Sequence, residues 1–557
     1  MDLLKILQKR SRLFYLSLLF LGMINALWSA ALLLFINGKI AGEHASFLNN
    51  DDWRIYVVLI VISFFTARYF QKYMISLTYD LGNELNLSVF QRLRFSNYEA
   101  YLKLGEERVR TVMSDVVILQ RFPQVFIESF NAGVMVLIGL GYLFWINMLN
   151  AFIVSVVLLL LGAIYYLRNM AIQKDLSAAR DLANVYQQNV NDFLRGFKEV
   201  KMSADRSDTI YDQFLVPNRS KVKALTVKSI TRLMGNELIG TYCWYVMIGV
   251  VLFLIPVMQK NANDHGGSFI VTLLFLMGPV AVVITQIKEF TLMRIAMNRI
   301  QEFNTLLHSA SSGQLNHGSE MPVGEAFESI RFENVEYEYF DAKRKETFRL
   351  QPLNLEIRKG DSLFVTGGNG SGKSTFIQLL SGLYTPMSGT IYWNDIPVTP
   401  EHYAWYRNQL SCIFTDCYLP GENYDGFQLS RNNEQLMLLI EKMQLSDVIA
   451  IDEQHNRISN QLSKGQQKRL ALIYLLLENK EVIVLDEWAA EQDPVFRGVF
   501  YKEIIPALKR DGKTVIAVTH DDQYFHCAEK VVRFDFGKIS DIHINESLLT
   551  KEAFHSL

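Results

Sequence analysis

Residues 363–375 read LFVTGGNGSGKST, an apolar run that breaks into glycines and closes on Lys373 and Ser374. The run Leu363 to Thr366 predicts a strand, and Gly367 to Ser374 complete the pattern G-x-x-x-x-G-K-[ST] in the strand-to-helix setting it requires. Glycines let backbone N–H groups wrap phosphate oxygens, the lysine neutralises β and γ oxygens, and the serine hydroxyl suits Mg²⁺. The expected phosphate-binding set is Gly367, Asn369, Gly370, Ser371, Gly372, Lys373, Ser374 and Thr375. A loop of this kind belongs to an α/β domain with a parallel sheet.

Such a loop calls for an acid at the end of a neighbouring strand to hold the metal. The stretch VIVLDEWAAEQDP, Val482 to Pro494, supplies two. Four aliphatic residues in a row, Val482 to Leu485, predict a strand covered on both faces. Asp486 and Glu487 then sit at its carboxyl end, the edge where open α/β sheets bind ligands. Asp486 is expected to hold Mg²⁺, and Glu487 to act on the water that attacks the γ-phosphate, as general base or positioner.

Outward from this core the chain of 557 residues changes character. Long apolar stretches dominate up to about Ile300, whereas short apolar runs, turn signals and charged helices follow. A formal net charge of -2 gives no footprint for nucleic acid. The four cysteines, Cys243, Cys412, Cys417 and Cys527, lack metal-ligand or disulfide-framework spacing and read as inert thiols. The first apolar stretch is too long for a signal-peptide core and has no clear small-residue cleavage site.

A bilayer core needs about twenty mainly apolar helical residues. Six stretches qualify: Phe14 to Ile36, Ile55 to Phe70, Val125 to Ile146, Ala151 to Leu167, Leu238 to Met258 and Phe269 to Ile287. Basic residues mark cytoplasmic flanks. They gather before the first stretch (Lys5, Lys9, Arg10, Arg12), between the second and third (Arg92, Arg94, Arg108, Arg110, Arg121) and between the fourth and fifth (Arg195, Lys198, Lys201, Lys221, Lys223, Lys228). Both termini are therefore expected in the cytosol. The two long cytoplasmic connections keep apolar residues at three- and four-residue spacing, so the spans should continue into the cytosol as amphipathic helices.

With these motifs in order, the sequence resembles an ABC exporter half-transporter over nearly its whole length. QLSKGQQKR looks like the family signature, with Ser463, Gly465 and Gln466 matched and Lys464 where glycine is usual. AEQD, Ala490 to Asp493, occupies the D-loop position, and His520 in VIAVTHDD looks like the switch histidine that contacts the γ-phosphate. Tyr339 in FENVEYEYF is placed like the aromatic that stacks on adenine, with Tyr337 a close competitor. The resemblance implies a transmembrane domain over 1–305, a linker over 306–325 and an ABC nucleotide-binding domain over 326–557. It also implies ATP and Mg²⁺ as cofactors, a homodimer, a bacterial cytoplasmic membrane, and two chains sharing each ATP between Lys373 of one and Ser463 of the other. Cytosolic turns near Tyr98 to Gly105 and Asn191 to Lys198 would carry motion to the spans.

Two departures stand out. The glutamine usual in the Q-loop is missing, and LSCIFTDCYLP puts Thr415 and Asp416 there, either of which offers oxygen to a hard cation. The stretch before the signature lacks the acidic, glycine-containing sequence common in exporters. An importer is disfavoured because the spans are fused ahead of the nucleotide domain, and a leader-cleaving peptide exporter because no cysteine-protease domain precedes the first span. DEWAA followed by QDP, with LSKGQ and FTD, looks like the cyclic-peptide exporter branch, which handles peptide siderophores, toxins and knotted microcin-type peptides.

Candidate cargo contacts are Glu128, Glu237, Asn131 and Asn236, with Tyr242, Trp244 and Tyr245 after them on span five. Acids with aromatics would suit a compact, partly cationic peptide, but interface packing and anchoring is the preferred reading of these side chains. A lipid or drug exporter with the same engine is the alternative, and a non-transporting ATP-dependent membrane sensor a more distant one.

Overall fold

The computed structural model describes residues 12–40, 52–254, 266–310, 326–341, 346–459 and 462–545. They form two compact units, one of residues 1–89 and 110–302, the other of residues 90–109 and 303–557.

The first unit is helical. All six expected spans fall on helices, five of them wholly: Arg12–Ile40, Asp52–Arg94, Phe122–Ile146, Met148–Arg195 and Gly266–Ala310. The fifth, over Leu238 to Met258, is helical through Val216–Gly249 and Val250–Leu254, and its last residues lie outside the described ones. Among the described residues, three helices are long and apolar enough to cross a membrane, Trp53–Arg94, Arg108–Ile146 and Gly267–Leu307. Met148–Ile164 and Leu238–Phe253 are shorter apolar helices. Asp52–Arg94 has 43 residues. At the α-helical rise it runs about 65 Å, roughly twice an apolar bilayer core, so much of it continues as amphipathic helix.

Close packing inside this unit depends on small residues. A Cβ on Gly139 would lie 2.6 Å from Leu276 Cδ2, so any larger residue there would force the buried Leu276 side chain to shift. Trp244, set aside above as a cargo contact, joins Leu143, Val154, Phe269 and Leu276 in a buried cluster, whereas Tyr242 and Tyr245 are exposed. Glu128 accepts hydrogen bonds from Gln124 and Gln286, each at 2.8 Å. Asn131 has a buried Oδ1 without a hydrogen bond. The side chains of Asn236 and Glu237 lie outside the described residues.

Among the described residues the second unit holds two larger sheets and a two-stranded one. β1 (Ser329–Asp341), β2 (Glu346–Arg358), β4 (Ser388–Trp393) and β5 (Ile396–Pro397) are antiparallel in the order β2-β1-β4-β5. β3 (Ser362–Gly367), β6 (Leu410–Ile413), β9 (Val482–Asp486), β10 (Thr514–Val518), β11 (Lys530–Asp535) and β12 (Lys538–Ile544) form the larger sheet, β12-β11-β3-β10-β9-β6. Two-residue strands β7 (Ile451–Asp452) and β8 (Arg457–Ile458) pair by themselves. β3, β6, β9, β10 and β11 run parallel, and every residue of β9 and β10 is buried, as their unbroken aliphatic runs require. In register, Val518 of β10 faces Val365 on one side and Asp486 on the other. The glycine loop after β3 and the acids after β9 therefore share one edge of the sheet.

Residues 90–109 lie within the stretch that the sequence assigns to the transmembrane domain, yet they group with the ATP-site residues. The helix Tyr98–Leu104 explains why. Glu99 Oε1 accepts from Tyr337 Oη and from the Thr385 backbone N–H, both at 3.1 Å. The Tyr384 ring stacks on Tyr337 at 4.7 Å and on Tyr98 at 6.3 Å.

Candidate nucleotide site

The loop after β3 is built by backbone that side chains would obstruct. Gly367 has φ +148, and a Cβ there would sit 2.2 Å from Phe534 O; Gly372, at φ +108, caps the helix Lys373–Leu380. Lys373 is buried, its Nζ donating to Gly367 O and Gly368 O, both at 2.9 Å. Burial lowers its pKa, while the Glu487 and Asp486 charges oppose that shift. Ser371 Oγ is buried without a hydrogen-bond partner, Asn369 and Ser374 are exposed, and Thr375 is buried. An orphaned hydroxyl beside backbone that turns through three positive-φ glycines, Gly367, Gly370 and Gly372, is what a phosphate-binding loop leaves to be filled.

At the end of β9 the buried carboxylate of Asp486 accepts a hydrogen bond from Thr415 Oγ1 at 2.8 Å. Burial raises the pKa of Asp486, the Thr415 hydrogen bonds lower it, the Glu487 charge raises it and Lys468 lowers it. Thr415 and Asp416 were equivalent in the sequence; the structure brings Thr415 to Asp486 and leaves Asp416 exposed. Glu487 Oε1 lies 3.3 Å from His520 Nε2, because their strands, β9 and β10, are neighbours. An oxygen-donor set at Ser374 and Asp486 beside a phosphate loop fits a hard divalent cation.

The two tyrosines also separate. Tyr337 is 7% exposed and committed to Glu99 and Tyr384, whereas Tyr339 is 40% exposed, with Phe348 and Tyr337 beside its ring.

The signature residues open the helix Lys464–Glu478. Ser463 caps it and forms a capping box with Gln466, whose side chain accepts from Ser463 N at 2.9 Å. Gly465 is required, since a Cβ would meet Glu491 O at 2.8 Å. Asp493 caps the next helix through Phe496 N and pairs with Arg469 at 2.6 Å. Sequence reasoning missed Lys468, Arg469 and Arg497, although the S-x-x-Q spacing of Ser463 and Gln466 is a legible capping signal. Arg497 joins the turn at Ala490 and Gln492 to Asp521, beside His520.

Three of the thiols are disfavoured as thiolates. Burial pushes Cys412 up to about 12 and raises Cys417 and Cys527.

Residues 350–490 match the family model described as ABC transporter. The chain is 27% identical over 535 residues to "ATP-binding protein SyrD" of Pseudomonas syringae pv. syringae, covering 94% of this chain and 93% of that protein. It is 22% identical over 538 residues to the "ATP-dependent lipid A-core flippase" of Burkholderia orbicola (strain AU 1054), covering 91% and 86%. A solved structure titled "Structure of a bacterial Atm1-family ABC exporter with ATP bound" superposes with a TM-score of 0.71 at 15% identity, covering 97% of each chain. The fold is thus that of a helical membrane domain followed by a P-loop domain, and the latter is an ATP-binding domain of the transporter type, an ATPase coupled to transport in its relatives.

Proposed function

We propose that this chain, an ATP hydrolase with an ABC transporter domain behind a helical membrane domain, is half of a homodimeric exporter in a bacterial cytoplasmic membrane. Six spans and cytosolic termini complete this reading. The observation that carries it is the joining of Asp486, Glu487, His520 and the glycine loop at one sheet edge.

In this mechanism the loop N–H groups and Lys373 bind the triphosphate, and Tyr339 stacks on adenine. Lys373 exchanges its two carbonyl partners for phosphate oxygens. Ser374 and Asp486 would hold Mg²⁺, with Thr415 orienting Asp486; the ion, when bound, neutralises charge on the phosphate oxygens. Glu487 accepts a proton from the attacking water as its oxygen bonds to the γ-phosphorus and the bridging bond to ADP breaks. His520, held beside Glu487, contacts the γ-phosphate. Ser463, Gly465, Gln466 and Asp493 of the second copy face the same nucleotide, so ATP favours the closed dimer.

Thr415→Val keeps the shape of the side chain and deletes the donor to Asp486. ATP turnover should fall about tenfold, the order of one hydrogen bond to a charged group. Asp416→Ala should stay within about twofold of the parent. Equal losses in the two variants, measured as phosphate release, would refute the assignment of the Q-loop role to Thr415.

The docked helix Tyr98–Leu104 supports transmission of ATP-driven motion through Glu99. Glu99→Ala leaves Tyr337 Oη and Thr385 N–H without their partner, and a lost charged hydrogen bond is worth about 1.5–3 kcal/mol. Transport and cargo-stimulated hydrolysis should drop about tenfold while basal hydrolysis persists. Full stimulation in the variant would place transmission elsewhere.

The cargo reading is a compact peptide, cyclic or knotted, supported by the DEWAA, QDP, LSKGQ and FTD motifs. A lipid cargo is the second reading, favoured by full-length similarity to a lipid A-core flippase. Hydrolysis in lipid nanodiscs with cyclic, knotted and linear peptides and a lipid series distinguishes them. Stimulation by one compact peptide class supports the first; stimulation by lipid alone supports the second.

A further inference from the structure

Trp488 stands directly after Glu487, and the mechanism above gives it nothing to do. It is 1% exposed, its ring 4.4 Å from Phe500 and 6.3 Å from Phe496. Its indole Nε1 donates to Lys468 O at 2.8 Å. The lysine answers in the other direction: Lys468 Nζ donates to Glu487 O at 3.0 Å. Two consecutive residues after β9 are thus fastened to one residue of the signature helix by a reciprocal pair of hydrogen bonds.

The position these bonds secure is a strained one. Glu487 has φ 49 and ψ 35, in the left-handed region that a non-glycine residue occupies only when its surroundings over-determine it. Its N–H donates to Val518 O at 3.2 Å, and its C=O accepts from the ammonium of Lys468 at 3.0 Å and from the Ala490 N–H at 3.3 Å, so both backbone groups are held, with Lys468 the one side chain among these partners. Lys468 is itself 3% exposed, and a lysine is rarely buried that far without a specific partner. A further tie joins the same two segments, Gln492 Nε2 to Gly465 O at 3.1 Å.

We propose that Lys468 is a positioning residue for ATP hydrolysis. By holding the Glu487 carbonyl it fixes the backbone that aims the Glu487 carboxylate, and through Trp488 it makes that aim depend on the seating of the helix capped by Ser463. The inference rests on the reading of Glu487 as the general base. Lys468 is buried and spends its ammonium on the Glu487 carbonyl, so its removal should slow the chemical step and leave nucleotide binding unchanged.

The test is a double-variant cycle on the full chain in nanodiscs, with kcat and KM from phosphate release and the equilibrium Kd of a fluorescent ATP analogue. Lys468→Met keeps the buried stem and deletes the ammonium. Its kcat should fall about a hundredfold, as an ångström-scale misplacement of a reacting group does, with Kd and KM within twofold. In a Glu487→Gln background, where the carboxylate to be aimed is already gone, Lys468→Met should cost no more than a further twofold. Trp488→Phe keeps the aromatic packing and removes the indole donor; a smaller kcat-only loss, about tenfold, is expected even where Lys468→Met folds poorly. Losses that multiply in the double variant, or a Kd that weakens in step with kcat, would overturn the proposal. A Glu487→Gln variant with normal turnover would sink the general-base reading itself, whereas a dead Glu487→Gln beside an unimpaired Lys468→Met would sink this inference alone.

Discussion

Glu487→Gln should bind ATP, assemble as a dimer and fail to turn over, with hydrolysis slowed about a thousandfold, within the range removed with a general base. The substitution preserves shape and the contact with His520 Nε2, now 3.3 Å from Oε1. What it removes is a group that can accept a proton from water. Binding should be spared because, in the proposed mechanism, the glycine loop and Lys373 hold the triphosphate, and Lys373 keeps its loop contacts in the variant. Single-turnover phosphate release measures the chemical step, while retention of ATP by the washed protein reports binding. Parent-like turnover would mean that the base lies elsewhere, and His520 would be the next residue to replace.

Lys373→Met should have the opposite signature, with binding lost ahead of chemistry. Lys373 is 6% exposed, and its ammonium donates to two loop carbonyls, which phosphate oxygens would replace in the proposed mechanism. Methionine fills the same volume and donates nothing, leaving Gly367 O, Gly368 O and the incoming phosphates without a cation. Truncating one partner of a buried charged pair costs about 2–5 kcal/mol, so ATP affinity should fall at least about thirtyfold. Titration with a fluorescent ATP analogue in the absence of Mg²⁺ isolates this contribution. Affinity within threefold of the parent would show that loop N–H groups alone hold the phosphates.

Much of the catalytic edge was legible because it is written in local patterns. An unbroken aliphatic run located β9, and the glycine spacing after β3 located the phosphate loop. What could not be read depended on contacts between distant segments. Thr415 and Asp416 both offer oxygen to a cation, and only the pairing of β6 with β9 shows which of them reaches Asp486. Tyr337 and Tyr339 are two residues apart on one strand, and Glu99, far away in the chain, is what occupies the first. Asp493 and Gln466 looked like nucleotide contacts, yet both are also helix-capping residues. In the membrane domain, hydropathy located the apolar stretches and the three- and four-residue spacing their amphipathic continuations, as in Asp52–Arg94, but neither pattern marked where the helices end.

The docking of Tyr98–Leu104 against Tyr337 and Tyr384 bears on how such machines can be recombined. The seam of the fold does not fall where the chain passes from one region to the next, because residues 90–109 travel with the catalytic module although they are encoded two hundred residues ahead of it. A crossover placed in the 311–325 stretch would therefore marry a foreign ATPase to a native docking helix. Only hybrids that exchange both pieces would keep the aromatic stack and the Glu99 contacts intact, so shuffled libraries joined at a single point should be enriched in ATPases that burn fuel without moving anything.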